Sequence, residues 1–151
     1  MKIEKELLGE DEAIFKWVDS DLCMIIDWRS SPEEIISIAE CFLPEDEFSY
    51  ELGEEPVQEL SFKKGENIVN FTLNDDELDH AWSLTLIGIA SVLSPDYELH
   101  VFNHTTHSDT WALLLRPKTW WDEYRAIAAD RCSEIFTPII ELLNSEPPET
   151  I

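Results

Sequence analysis

The chain has 151 residues, 44% of them hydrophobic, with 33 acidic side chains against 10 basic ones and a formal net charge of −23. The apolar share excludes an intrinsically disordered acidic chain. The charge excludes nucleic acid and anionic membrane as partners and favours a basic protein.

A chain of this length fits one domain around one core, expected here over 1–144 with a loose tail at 145–151. Glu outnumbers Asp by 21 to 12, whereas halophilic adaptation, the bland source of such charge, favours Asp. Met1 to Glu12 lacks the apolar centre of a secretory signal. No segment approaches the roughly 18 apolar residues of a membrane span, so a cytoplasmic protein is expected. Cys23, Cys41 and Cys132, an odd number at wide spacing beside apolar residues, read as reduced core thiols.

Lys2 to Val18 has room for a first helix. Leu22 to Trp28 is a short β-compatible run, expected at a sheet edge. Ser31, Pro32 and Glu34 then spell a helix start: an N-cap, a proline at N1 and the third residue of a capping box. Ile35, Ile38, Ala39, Phe42 and Leu43 form its apolar stripe, and Pro44 stops it. From Glu47 to Leu73 the period drops to two. Phe48, Tyr50 and Leu52, then Leu60 and Phe62, then Val69, Phe71 and Leu73 predict a three-stranded meander with one apolar face.

Asn74 is placed to cap the next helix, with Asp75, Asp76 and Glu77 in its first turn. Leu78, Trp82, Leu86, Ile89 and Leu93 line one face, while Leu84 and Ile87 lie off it, so this helix is expected at the centre of the core with Trp82 against Phe62 and Phe71. Strands follow at Tyr97–Phe102 and Thr110–Leu115. A terminal helical region opens at Pro117 or Thr119, with a break near Thr137 imposed by Pro138. The order β-α-β-β-β-α-β-β-α-α predicts a single-domain α+β sandwich: a mainly antiparallel sheet, covered on one face, and a central buried helix.

Between Glu45 and Asp79 lie twelve carboxylates and only two lysines. Glu54, Glu55 and Glu59 at the first turn of the meander, with Asp75, Asp76 and Asp79 at the start of the central helix, are the candidate docking residues for a basic partner. A solvated face with helix-capping acids accounts for the same pattern. Trp120 and Trp121 point about 100° apart on a helix, and Trp121 is the candidate exposed anchor among the carboxylates. His100, His104 and His107 with Asp109 do not match a metal signature, and surface histidines in a hairpin loop are expected, without a metal. No nucleophile elbow, phosphate loop or zinc-protease motif is present, and Glu33-Glu34 and Asp75-Asp76 are explained by helix starts. A non-enzymatic protein without a cofactor is therefore expected, a small enzyme lacking a recognisable motif being the lesser alternative.

Ser94-Pro95-Asp96-Tyr97-Glu98-Leu99-His100, then Asp109-Thr110-Trp111-Ala112-Leu113-Leu114-Leu115, then Pro117-Lys118-Thr119-Trp120-Trp121 resembles small bacterial immunity proteins of polymorphic toxin and contact-dependent growth inhibition systems. The resemblance spans Ser94 to Tyr124 and rests on pattern. It implies a non-enzymatic cytoplasmic inhibitor that binds one cognate toxin domain, often a basic nuclease. Acidic chaperones of type III secretion, which dimerise and hold an extended effector segment, have similar length and charge and form the alternative.

Overall fold

The computed structural model describes residues 23–27, 29–54, 59–106 and 108–145. The helix expected within Lys2 to Val18 lies outside these residues, as do Glu55, His107 and positions 146–151 of the expected tail.

The chain begins with β1 (Met24–Asp27) and α1 (Pro32–Glu40). The expected capping box is formed: the Glu34 N–H donates to Ser31 Oγ at 3.2 Å, and the Ser31 N–H to Glu34 Oε1 at 3.5 Å. Helix α1 ends at Glu40, four residues before Pro44, and Cys41 is its C-cap. Cys41 is consequently exposed, a correction to the expected core thiol, while Cys23 and Cys132 are buried.

The meander follows as β2 (Ser49–Leu52), β3 (Glu59–Lys64) and β4 (Asn67–Thr72), an antiparallel sheet in the order β2-β3-β4. Tyr50 is level with Phe62 and Val69, and Leu52 with Leu60 and Phe71, so the period of two becomes one apolar face. Lys63 and Lys64, expected in the second turn, extend β3, and the turn is Gly65-Glu66 alone with Gly65 at φ 61°.

The central helix starts later than Asn74 implied. Asp75–His80 form a 3-10 turn, and α2 runs Ala81–Leu93 with His80 as an N-cap that makes no side-chain cap bond. Leu86, Ile89, Val92 and Leu93 are buried, and Gly88 faces β3 so closely that a Cβ there would overlap the Phe62 ring. Trp82 packs against the same core cluster as Phe62 and Phe71. It is half-buried and stands edge-on to Trp111 of the other sheet, ring centroids 5.1 Å apart at 89°.

That other sheet contains β5 (Tyr97–Phe102), β6 (Thr110–Pro117) and β7 (Phe136–Pro138) beside β1, in the order β1-β6-β5-β7 with every pair antiparallel. Helix α3 (Lys118–Ile135) precedes β7, and α4 (Ile139–Ser145) follows it. The break imposed by Pro138 is thus a short strand. A second kink lies at Ala128 (φ −149°, ψ 62°), in a segment with neither Pro nor Gly. Helix α4 also carries regular structure through Ser145, into the expected tail.

This four-stranded sheet is covered on both faces, not one. Leu99, Val101, Leu113 and Leu115 join the core around α2, whereas Phe102, Ala112 and Leu114 pack with Trp120, Trp121 and Tyr124 of α3. The unbroken run Ala112–Leu115, without polar alternation, is what a strand buried on both sides requires.

Candidate functional site

The acidic candidates converge on one end of the three-stranded sheet. Glu54 follows β2 and Glu59 opens β3; both are exposed, and the Gly53 N–H donates to the Glu59 carbonyl at 2.9 Å between them. Glu59 is level with Thr72, the last residue of β4, and exposed Asp75 and Asp76 follow three and four residues later in the 3-10 turn that also contains Asp79. Glu51 adds a further carboxylate on the outer face, level with Ser61 and Asn70.

A second acidic feature was not singled out in the sequence: a trough between α1 and the outer edge of β2. It is a groove of about 420 Å³ lined by Pro32, Glu33, Tyr50, Leu52 and Glu54. A separate hollow past the end of α1 is lined by Glu40, Leu43, Glu45, Asp46 and Phe48. Tyr50 is 36% exposed, a large apolar surface for a strand residue. The sequence signal lay in the spacing of two elements, a nine-residue helix with Glu33 and Glu40 near its ends and a short strand bounded by acids.

The cations do little to offset this surface, because carboxylates far outnumber them, and among the described residues most cations are bonded to carboxylates of the chain itself. Arg29 pairs with Asp27 at 3.0 Å, Lys64 with Glu47 at 2.7 Å and Asp96 at 2.9 Å, Lys118 with Asp122 at 2.7 Å, and Arg131 with Glu134 at 3.4 Å. The acids left over therefore set the sign of the outward field.

Trp121 is not an exposed anchor. It is fully buried, and so is Trp120, because the first turn of α3 lies flat on β5 and β6 and both indoles are drawn into that layer. The Trp121 Nε1–H donates to the Glu98 carbonyl at 3.1 Å, its ring stacks on His100, and the Arg116 guanidinium lies 4.9 Å from the centre of the Trp120 ring. Around this stack is a charge network that composition did not reveal. Arg125 grips Glu98 with two bonds of 3.0 Å and reaches Asp122 at 2.8 Å, and His100 Nε2 lies 2.9 Å from Glu98 Oε1. Partial burial pushes the Glu98 carboxyl up, but the bonds from His100 and Arg125 outweigh it and bring the pKa down to about 2. Burial lowers the pKa of His100 against the pull of Glu98. The sequence hint was Glu98 and His100 at i and i+2 of a mostly apolar strand, on one face.

The histidines are dispersed. His100 is buried on β5 and His104 is exposed in the turn after it, so the expected surface placement holds for His104 and fails for His100. Among the described residues no group of three or more His, Cys, Asp or Glu is arranged to hold a metal ion, and no helix is long and apolar enough to cross a membrane.

Comparison of the chain with models of known families, with curated proteins and with solved structures gives no significant match to any of them.

Proposed function

We propose that this chain is a non-enzymatic binding protein that neutralises a basic toxin domain by direct docking, in the manner of the immunity proteins that Ser94 to Tyr124 resemble. The observation that carries the reading is the outward field: a net charge of −23 in which Arg29, Lys64, Lys118, Arg125 and Arg131 are held by the chain's own carboxylates. Such a field accelerates encounter with an oppositely charged protein and repels anionic ones. The cluster of Glu54, Glu59, Asp75 and Asp76 at one end of the meander supplies carboxylates for that encounter.

The test is the rate of association with the toxin domain encoded beside this chain's gene, followed from low to high salt. The wild type should associate fast at low salt and slow steeply as salt rises. Changing Glu54, Glu55 and Glu59 together to Lys should slow association by about tenfold or more and weaken protection of growing cells. The same change at Glu123, Asp130 and Glu134 on α3 should matter much less. Salt-insensitive association with full protection by the meander variant overturns this placement. An obligate dimer that binds an effector segment instead favours the chaperone alternative.

A further inference from the structure

The edge of β2 is built to receive a strand. Its register with β3 makes Gly53 and Glu59 a hydrogen-bonded pair, through the Gly53 N–H to the Glu59 carbonyl at 2.9 Å. Because antiparallel pairs alternate, Glu51 and Ser49 also turn their backbone groups toward β3, while those of Tyr50 and Leu52 point outward from the sheet. Among the described residues no strand pairs with that side, and Ser49, Tyr50 and Glu51 are all exposed. Proteins usually blunt such an edge with lysines, a proline or a covering element. This one has no lysine or proline in Ser49–Leu52, and the helix beside it leaves a trough.

We infer that β2 binds an extended segment of the basic partner by strand addition, in the trough between α1 and β2. This deepens the docking reading and rests on it. The chemistry of the trough fixes the pattern of the occupant. Side chains level with Tyr50 and Leu52 share their face of the sheet and lie against Tyr50, Leu52 and Pro32, so they are apolar. Side chains level with Ser49, Glu51 and Gly53 project to the other face, beside Glu51, so lysine or arginine is favoured there. Backbone bonds supply attachment, and the alternation of apolar and basic residues supplies selectivity. A second copy of this chain is a poor occupant, since it brings the same carboxylates to the same edge.

The test uses two short capped peptides of equal charge, one alternating lysine with valine and one alternating lysine with proline, added to the whole protein. The proline peptide lacks the N–H groups that would pair with Tyr50 and Leu52. The valine peptide should bind about tenfold more tightly or better, and it should slow hydrogen exchange at the Tyr50 and Leu52 amides. Tyr50→Pro removes an N–H that β3 does not use, so the sheet tolerates it, and because that N–H would donate to a peptide carbonyl, the variant should bind the valine peptide several-fold more weakly. Should that variant fail to fold, exchange at the two amides of the wild type decides alone. Equal, salt-sensitive binding of both peptides without protection of those amides overturns strand addition and leaves the docking reading standing. Failure of both peptides to bind at low salt counts against strand addition and the docking reading alike. Protection of Tyr50 and Leu52 in a dimer of the protein without peptide overturns the inference in favour of a second copy.

Discussion

His100 lies flat against Trp121, ring centroids 3.7 Å apart and planes within 16°. Glu98 holds both residues: its carboxylate faces His100 Nε2, and its carbonyl accepts the Trp121 indole N–H. A carboxylate only accepts, so Nε2 carries the hydrogen, and in the neutral ring Nδ1 is an unprotonated acceptor. Nδ1 is buried with no hydrogen-bond partner among the described residues. Protonating it would bury a donor with nothing to receive it, which is the geometric counterpart of the lowered pKa.

Two groups consequently make the fold sensitive to acid in the same direction. The pKa of His100 in the folded chain lies below its ordinary 6.5, so the unfolded chain binds the proton more readily. Its contribution is full above about pH 6.5 and is lost as pH falls through the lowered value. Glu98, brought from 4.5 to about 2, contributes above about pH 4.5 and loses its share as pH falls toward 2. That share is on the order of 2–3 kcal/mol. Relief of self-repulsion among the surface acids acts oppositely, so the readout is the difference in urea stability between wild type and variant across pH. The difference for Glu98→Gln should shrink between about pH 4.5 and 2, and that for His100→Phe should shrink from about pH 6.5 downward. Differences flat with pH would contradict the network.

Gly88 sets the distance between α2 and the meander. A methyl there overlaps the Phe62 ring, which is fully buried. Gly88→Ala should therefore destabilise by about 1–3 kcal/mol, although alanine is the better helix former. Adding Phe62→Leu should recover part of the loss, and a double-mutant cycle in chemical denaturation measures the coupling. Simple additivity would show that the helix shifts to accommodate the methyl.

Trp82 joins the central helix to the larger sheet through Trp111, and half of that bond of surfaces is still wet. Trp82→Ala should cost about 2–3 kcal/mol, less than the 3–5 kcal/mol for a fully buried indole. The same loss from Trp111→Ala, with the double variant less destabilised than the sum, is the expected cycle, measured from urea midpoints.

The elements that local rules govern were legible in the sequence. Ser31-Pro32-Glu34 marked the start of α1, and the alternation of Tyr50, Leu52, Leu60, Phe62, Val69 and Phe71 marked one face of the meander. What depended on layers packing was not. Asn74 and its following acids have the composition of a helix start, yet Asp75–His80 settle in a tighter 3-10 turn before α2. Adjacent Trp120 and Trp121 point in different directions, which implies one exposed ring only if a helix buries a single stripe. Helix α3 crosses a sheet broad enough to take both. The acids of the candidate surface were visible as composition, whereas the trough needed α1 and β2 to be placed side by side.

Strand β7 has a consequence for the growing chain. It closes the β5 side of the larger sheet, pairing Phe136, Thr137 and Pro138 with Phe102, Val101 and His100. During synthesis β5 emerges some thirty-five residues earlier than the strand that covers it. Until then its flank, apolar at Val101 and Phe102, is open to any neighbouring nascent chain. A chain cut short at Ile135 would keep that flank open permanently, and would be expected to stick to its neighbours despite a charge that keeps the finished molecule apart.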